Sequence, residues 1–321
     1  MSFARLQEKI DEMRNPTVVG LDSDLAHIPA YIMDKHIAEA GETLEAAALA
    51  VVEFNVGLIN ALCDIVPAVK PQSAFYEMLG PYGVLALSKT CDFAKSKGMY
   101  VIIDGKRNDI GSTATAYAAA YLGAVKVGNT ERSPFYADAL TVNAYLGSDG
   151  LKPFVETAVK YDKAIFALVK TSNPSAGELQ DKFITDRNIE SIEPQIPAGE
   201  RLAFPTLYTA VGDLIENMSR DTKDKYGYTC IGAVVGATYP QEMEFLRKRL
   251  KNTFFLVPGY GAQGGTVSDV SLAFDESGRG AVVNSSRGII AAWKKRGGDY
   301  TVAAREEAIN MRAELRRVIY G

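Results

Sequence analysis

The sequence predicts an α/β fold, a single (β/α)8 barrel of the TIM type with an insertion after strand five. Three observations carry that expectation. Eight short, nearly all-apolar runs recur along the 321 residues, helical patterns separate them, and polar residues gather at the C-terminal ends of the runs. Strands that are apolar throughout are covered on both faces. Strict alternation of strand and helix builds a parallel sheet. Eight such units close into a barrel, with an open doubly wound sheet as the alternative.

The elements follow in order. MSFARLQEKIDEMRNP opens the chain as a charged amphipathic helix, with none of the marks of a signal peptide. Strand one is TVVGLD (17–22), and the long pattern LEAAALAVVEFNVGLINALCD leads to strand two, IVPAVK (65–70). GVLALSKTCDFAKSKG precedes strand three, YVIID (100–104), and STATAYAAAYLG precedes strand four, ALTVNA (139–144). GLKPFVETAVKY leads to strand five, AIFALVK (164–170), and PTLYTAVGDLIENM to strand six, CIGAVVGA (230–237). PQEMEFLRKRL leads to strand seven, TFFLVPG (253–259), and DVSLAFDES to strand eight, GAVVNSS (280–286). RGIIAAWKK and a helix near AAREEAINMRAELRRVI close the chain. One region is irregular: 172–205, polar and proline-bearing, reads as a lid or flap, because long loops inside a compact domain are usually functional. All of 1–321 is therefore expected to form one barrel domain, without internal repeats or low-complexity tracts.

Composition excludes several classes of function. With 35 basic and 39 acidic side chains, the net charge of -4 argues against nucleic acid or an anionic membrane as a bulk partner. No apolar run approaches the length of a membrane span, so no membrane segment is expected. Cys63, Cys91 and Cys230 are odd in number and sit in apolar segments, which predicts buried thiols in a reducing cytosol and a cytoplasmic protein. His27 and His36, the only histidines, are expected in a surface segment away from any strand end. Their scarcity removes most Ser-His and Cys-His nucleophiles and most zinc chemistry.

In such a barrel the chemistry sits at the C-terminal ends of the strands. Those ends carry Asp22 and Asp24, Lys70, Asp104 with Lys106, Asn143, then Lys170, Thr171 and Ser172. The loop PGYGAQGG (258–265) follows strand seven, and NSSRG, with Arg287 opening a helix, follows strand eight. A solvated turn or a helix cap is the plainer reading for any one of these, and Asp109 could simply cap the helix near Ser112. Their coincidence is less easily explained that way. Asp104 and Lys106 are two apart and on a continuing strand share a side, within reach of Lys70. Glycine-rich backbone after strand seven and a basic helix start after strand eight form the usual barrel site for a phosphate. A phosphorylated small molecule lying across the mouth would be held at one end and transformed at the other.

These residues resemble the orotidine 5'-monophosphate decarboxylases, in the longer (type 2) bacterial and parasite-like subgroup, over about 17–292. The most specific element is IIDGKRNDIGSTA, similar to the family's D-x-K-x-x-D signature through Asp104, Lys106 and Asp109. Lys70 in AVKPQSAFYE matches the lysine that completes the charged tetrad. The resemblance implies ribose contacts from Asp22, base contacts from Ser172 in VKTSNPS, and a phosphate grip from Pro258 and Gln263 of VPGYGAQGG with Arg287 of NSSRG. It further implies a homodimer in which Asp109, Ile110 and Thr113 reach the partner's site. The implied reaction is decarboxylation of orotidine 5'-monophosphate to uridine 5'-monophosphate without metal or organic cofactor. Lys106 would stabilise and protonate the carbanion, and Asp104 would repel the substrate carboxylate.

Three rivals remain open from the residues. A magnesium-dependent sugar-phosphate aldolase or decarboxylase shares the D-x-K-x-x-D framework, but should place a carboxylate where Lys70 stands. A Schiff-base aldolase could use Lys106 or Lys170. A non-catalytic nucleotide-binding barrel should lack tetrad members, and here all four positions are filled.

Overall fold

Residues 2–184, 205–261 and 263–321 are described by the computed structural model. Every predicted run becomes a strand of one closed parallel barrel. The strands are β1 (Thr17–Leu21), β2 (Ala68–Pro71), β3 (Tyr100–Arg107) and β4 (Ala139–Val142). They continue as β5 (Ala164–Lys170), β6 (Ile231–Val235), β7 (Phe255–Val257) and β8 (Ala281–Ser285). Each pairs with its successor, and β1 with β8 closes the ring, Val18 lying beside Asn284.

Residues alternate across each strand, so one set faces the barrel axis and the other the surrounding helices. The axial set, among them Val18, Ala68, Ile102, Ala139, Phe166, Leu256 and Val282, forms one buried cluster. The other set, including Val19, Val69, Ile103, Leu140 and Val283, belongs to a second cluster shared with the helices. Phe3, Leu6 and Ile10 of the opening helix (Ser2–Met13) join the axial cluster. Phe3 stacks on Phe254 at 4.9 Å and tilts against Phe166 at 4.9 Å. This helix therefore plugs the N-terminal end of the barrel, each buried anchor contributing about 1.5–3 kcal/mol. The opposite end is left open as the mouth.

Two irregularities shape that mouth. Between Ile103 and Arg107 β3 advances four residues while β4 advances two, from Leu140 to Val142, and within this bulge Lys106 takes φ 47°. Between Leu168 and Lys170 β5 advances two residues against one on β6. By parity Lys170 would face the axis with Phe166 and Leu168. The bulge turns it aside instead.

Several expectations need correction. The helix Leu44–Leu62 is apolar and long enough to cross a membrane by length and composition. It packs as a core helix: Phe54 stacks on Tyr300, and its polar Asn55 is buried and bonds Tyr76 and Ser23. His36 is not on the surface; it is buried on the helix Ala30–Ala40 with Nε2 2.8 Å from Glu53. Cys91 and Cys230 are buried, but Cys63, at the end of its helix, is partly exposed. A small exposed ribbon, Val125–Val127 paired with Thr130–Arg132, had no signal in the apolar pattern. Of the expected lid, 185–204 lies outside the described residues.

Candidate active site

The site is built from the axial parity of the strands carried one step beyond the apolar cluster. Asp22, Lys70, Asp104, Thr141, Leu168, Val234, Leu256 and Asn284 line a cavity of about 470 Å3 at the C-terminal mouth. The charged and polar members come from β8 and β1 through β4. The apolar members come from β5, β6 and β7, so the floor of the mouth has a charged side and an apolar side, with Thr171, Ser172, Asn173 and Gln180 above the latter.

The charged side is an alternating array. Lys106 Nζ lies 2.6 Å from Asp104 Oδ1, Lys70 Nζ lies 2.9 Å from Asp104 Oδ2, and Lys70 Nζ lies 3.9 Å from Asp22 Oδ1. Asp104 accepts two further bonds, from Gln72 Nε2 at 2.9 Å and from Thr141 Oγ1 at 2.8 Å. Burial by itself would raise the Asp104 pKa, yet the Lys70 and Lys106 ammonium groups hold its carboxyl well below the usual carboxylate range. Burial also opposes charge on Lys70, but Asp104 and then Asp22 carry its ammonium above the ordinary lysine value. Lys70 is almost fully enclosed, whereas the Lys106 side chain is 46% exposed and projects into the mouth.

Lys106 and Asp104 do share a side, as their spacing suggests, but not on a regular strand. The left-handed backbone at Lys106, worth roughly 1–2 kcal/mol of strain in a non-glycine residue, is held by Thr141, whose Oγ1 accepts the Lys106 N–H at 3.0 Å. Strain maintained by a specific bond is common where a side chain must be aimed.

On the far side of the mouth lie Ser172, Pro258, Gln263 and Arg287, with Gly259, Tyr260 and Ser286. The helix that Arg287 opens ends at Ile290, a single turn. This side thus offers a guanidinium and local N–H groups, with little macrodipole behind them. Asp22 Oδ1 and Asn284 Oδ1 are buried without a hydrogen-bond partner. Buried acceptors are almost always bonded, so these two stand ready for donors of a ligand.

The structure therefore gathers Asp22, Lys70, Asp104, Lys106, Ser172, Pro258, Gln263 and Arg287 around one cavity. Asp109, Ile110 and Thr113 are not among its lining residues. Asp109 Oδ1 accepts the Ile110 N–H at 2.8 Å, Ile110 is 55% exposed, and the helix starts at Gly111 with no side-chain cap. Asp109 thus does not cap that helix. Asp24 caps the short turn Leu25–His27, and Asn143 bonds the Tyr145 N–H away from the cavity. Lys170 is fully buried and pairs with Asp181. Gln72, Thr141 and Asn284 escaped the sequence reading because uncharged polar residues inside strands have no marker there. Counting by twos from Lys70 or Ala139 would have found the first two.

The comparisons with known proteins agree with this geometry. The sequence model of the orotidine 5'-phosphate decarboxylase / HUMPS family matches residues 46–297. The orotidine 5'-phosphate decarboxylase of Rhodopirellula baltica is 44% identical over 307 residues, covering 95% of this chain and 93% of its own length. That of Caldicellulosiruptor bescii is 37% identical over 290 residues, or 90% of this chain and 89% of its own. The solved Leishmania donovani OMP decarboxylase is similar with a TM-score of 0.67 and 29% identity, over 98% of both chains. With a family match over most of its length and relatives that align nearly end to end, the chain belongs to the orotidine 5'-phosphate decarboxylase / HUMPS family.

Proposed function

We infer that the chain decarboxylates orotidine 5'-phosphate to uridine 5'-phosphate, the closing step in making a pyrimidine nucleotide. The observation that carries this reading is the array Lys106–Asp104–Lys70–Asp22, contiguous at 2.6, 2.9 and 3.9 Å, in one cavity with the apolar Leu168, Val234 and Leu256. In the reaction the bond from the pyrimidine ring to its carboxylate breaks, and the electron pair stays on the ring carbon. Carbon dioxide leaves, Lys106 delivers a proton to that carbon, and solvent reprotonates the lysine. Asp104 faces the substrate carboxylate, so their repulsion falls as carbon dioxide departs. Lys70 holds Asp104 ionised. Asp22 and Lys70 meet the ribose hydroxyls, Ser172 the base, and Pro258, Gln263 and Arg287 the phosphate end.

Magnitude shows that repulsion is one part only. A charge pair at ~4 Å in an effective dielectric of ~20 is worth about 4 kcal/mol, about a thousandfold in rate. Slow uncatalysed reactions call for accelerations of about 10^15-fold or more. The remainder is assigned to preorganised dipoles and to binding energy from the remote phosphate.

The same proposal includes a cytoplasmic homodimer in which Asp109, Ile110 and Thr113 complete the partner's site. Its support is an exposed apolar surface beside Asp109: Ile110, Tyr145 and Leu146 are 55%, 75% and 48% exposed. Three free thiols fit a reducing compartment. One barrel domain with 172–205 as a lid over the mouth also belongs to it. The chain leaves and re-enters at one point, Ile184 N bonding Pro205 O at 2.8 Å and Leu207 N bonding Lys182 O at 2.9 Å.

Against the magnesium-dependent rival stands Lys70, whose ammonium occupies the space between Asp22 and Asp104 that a cation would need. Against a Schiff base on Lys170 stands its burial and its pairing with Asp181. The test follows loss of the substrate's ultraviolet absorbance, with and without a chelator. Turnover should survive the chelator and vanish in Lys106→Ala, which should still bind uridine 5'-phosphate. Turnover that requires a divalent cation would sink this reading in favour of the metal-dependent one.

A further inference from the structure

Lys170 is the one lysine at a strand end that the reaction does not use. It is fully buried, and its ammonium pairs with Asp181 and lies 4.1 Å from the centroid of the Tyr239 ring. A buried ammonium is costly unless paired, and a Leu or Met would pack there without that cost. What the charge adds is direction: it fixes where Asp181 sits, and therefore where its neighbour Gln180 points.

Gln180 makes two bonds to one residue. Its Oε1 accepts the Thr171 N–H at 2.9 Å, and its Nε2 donates to Thr171 Oγ1 at 2.7 Å. The next two residues are held from the loop that follows β6. Thr238 Oγ1 donates to Ser172 O at 3.1 Å, and Tyr239 Oη donates to Asn173 O at 3.0 Å. Gly236 permits the approach, since a Cβ there would lie 2.7 Å from Ser172 Cα. All three residues of the segment 171–173 line the mouth, as does Gln180. Each of these bonds is to backbone or to Thr171, and none engages the Ser172 hydroxyl.

We propose that Lys170, Asp181 and Gln180 form a latch that holds Thr171–Asn173 as a rigid edge and so sets the preference of the mouth for a uracil over a cytosine ring. They are positioning residues, acting through Ser172 and the backbone beside it. The proposal rests on the decarboxylase reading, in which Ser172 meets the base. A uracil edge presents a ring N–H donor and a carbonyl acceptor, whereas a cytosine edge presents the reverse. Only an edge that cannot shift by the length of a rotamer change discriminates between them. Arg287, at the phosphate end, is carried by the turn after β8 and makes no hydrogen bond to the latch among the described residues, whereas Gln263 flanks Ser172 and Asn173.

The test is calorimetric binding of uridine 5'-phosphate, cytidine 5'-phosphate and ribose 5-phosphate to the full-length protein and to Gln180→Leu and Asp181→Asn. Both variants leave the Lys170 backbone untouched, and circular dichroism checks that each is folded. Gln180→Leu should cut the uridine-over-cytidine preference by roughly tenfold, about one hydrogen bond's worth, and leave ribose 5-phosphate binding unchanged. Asp181→Asn should act in the same direction, and Gln180→Glu, which keeps the acceptor for Thr171, should recover part of the loss. An unchanged preference in Gln180→Leu overturns the latch, as does an equal loss on ribose 5-phosphate. A wild-type protein that binds ribose 5-phosphate but shows no preference for uridine overturns the assignment of Ser172 to the base, and the latch with it.

Discussion

Thr141 Oγ1 donates to Asp104 Oδ1 at 2.8 Å and itself accepts the backbone N–H of Lys106 at 3.0 Å. One buried side chain on β4 therefore fixes both the carboxylate and the bulge from which the ammonium is aimed. Lys106 in turn reaches Asp104 at 2.6 Å, so the three residues close a ring of bonds.

Thr141→Val keeps the shape and removes that link. The Lys106 N–H is left without its acceptor, and Asp104 loses one of its four side-chain donors. A hydrogen bond to a charged group is worth about 1.5–3 kcal/mol, so kcat should fall by about 10–100-fold. KM should change little, since the phosphate and ribose contacts are untouched, and Thr141→Ser should restore most of the rate. Steady-state kinetics on the three proteins decides it: a Val variant with wild-type kcat removes Thr141 from the machinery.

Arg287→Ala concerns the other end of the mouth. Arg287 opens the single turn after β8 and makes no ion pair among the described residues, so its charge is available to a ligand. Losing one partner of a desolvated charge pair costs about 2–5 kcal/mol, or about 30-fold to several thousandfold in kcat/KM. The loss should nearly vanish with orotidine lacking its phosphate. Equal losses on both substrates would make Arg287 a support of the fold.

The pH dependence of stability follows from the buried pair. Asp104 has a folded pKa below its unfolded value of ~3.9, because the two ammonium groups outweigh burial. Its contribution is complete above that unfolded value and is lost as pH falls through the folded one. Lys70 is shifted upward by Asp104 and Asp22 against burial, so its contribution is complete below ~10.4 and is lost as pH rises further. Breaking a buried pair costs about 3–5 kcal/mol. Lys70→Met should therefore be less stable than wild type by about that much between roughly pH 5 and 9, and the gap should narrow in acid. Urea unfolding from strong acid up to about pH 9 checks it, and a gap that stays constant into strong acid would contradict the pairing.

The barrel was legible because a strand covered on both faces must be apolar almost throughout, as in AVVNSS or AIFALVK. The charged array was legible because ionised side chains at the ends of such strands are conspicuous. What could not be read depends on backbone irregularity and on partners distant in sequence. Lys170 looked equivalent to Lys106, but the β5 bulge turns one aside while the β3 bulge delivers the other. His36 looked exposed because its partner, Glu53, lies 17 residues away on another helix. Leu44–Leu62 reads as apolar all round because it is buried between helices, and its hydrogen-bonded Asn55 gives no sign of that in one dimension.

Asp109 is the remaining member of the signature, and its position makes the last prediction. Three residues after Lys106, it bonds the next N–H, beside the exposed Ile110 at the head of the helix Gly111–Tyr121. Lys106 meets Asp104 on one side and presents its remaining surface to the open mouth. If a second copy supplies Asp109 to that open side, the inactive variants Lys106→Ala and Asp109→Ala complement each other. In a mixed dimer one site carries both lesions and the other carries neither. Random pairing makes about half of the dimers mixed, so about one site in four is whole in a symmetric two-fold assembly. Co-expression or joint refolding lets the chains mix, and mass spectrometry confirms that mixed dimers form. Activity near a quarter of wild type is the expected result. Mixed dimers no more active than either variant alone would place Asp109 in its own chain's site and end the shared-site reading.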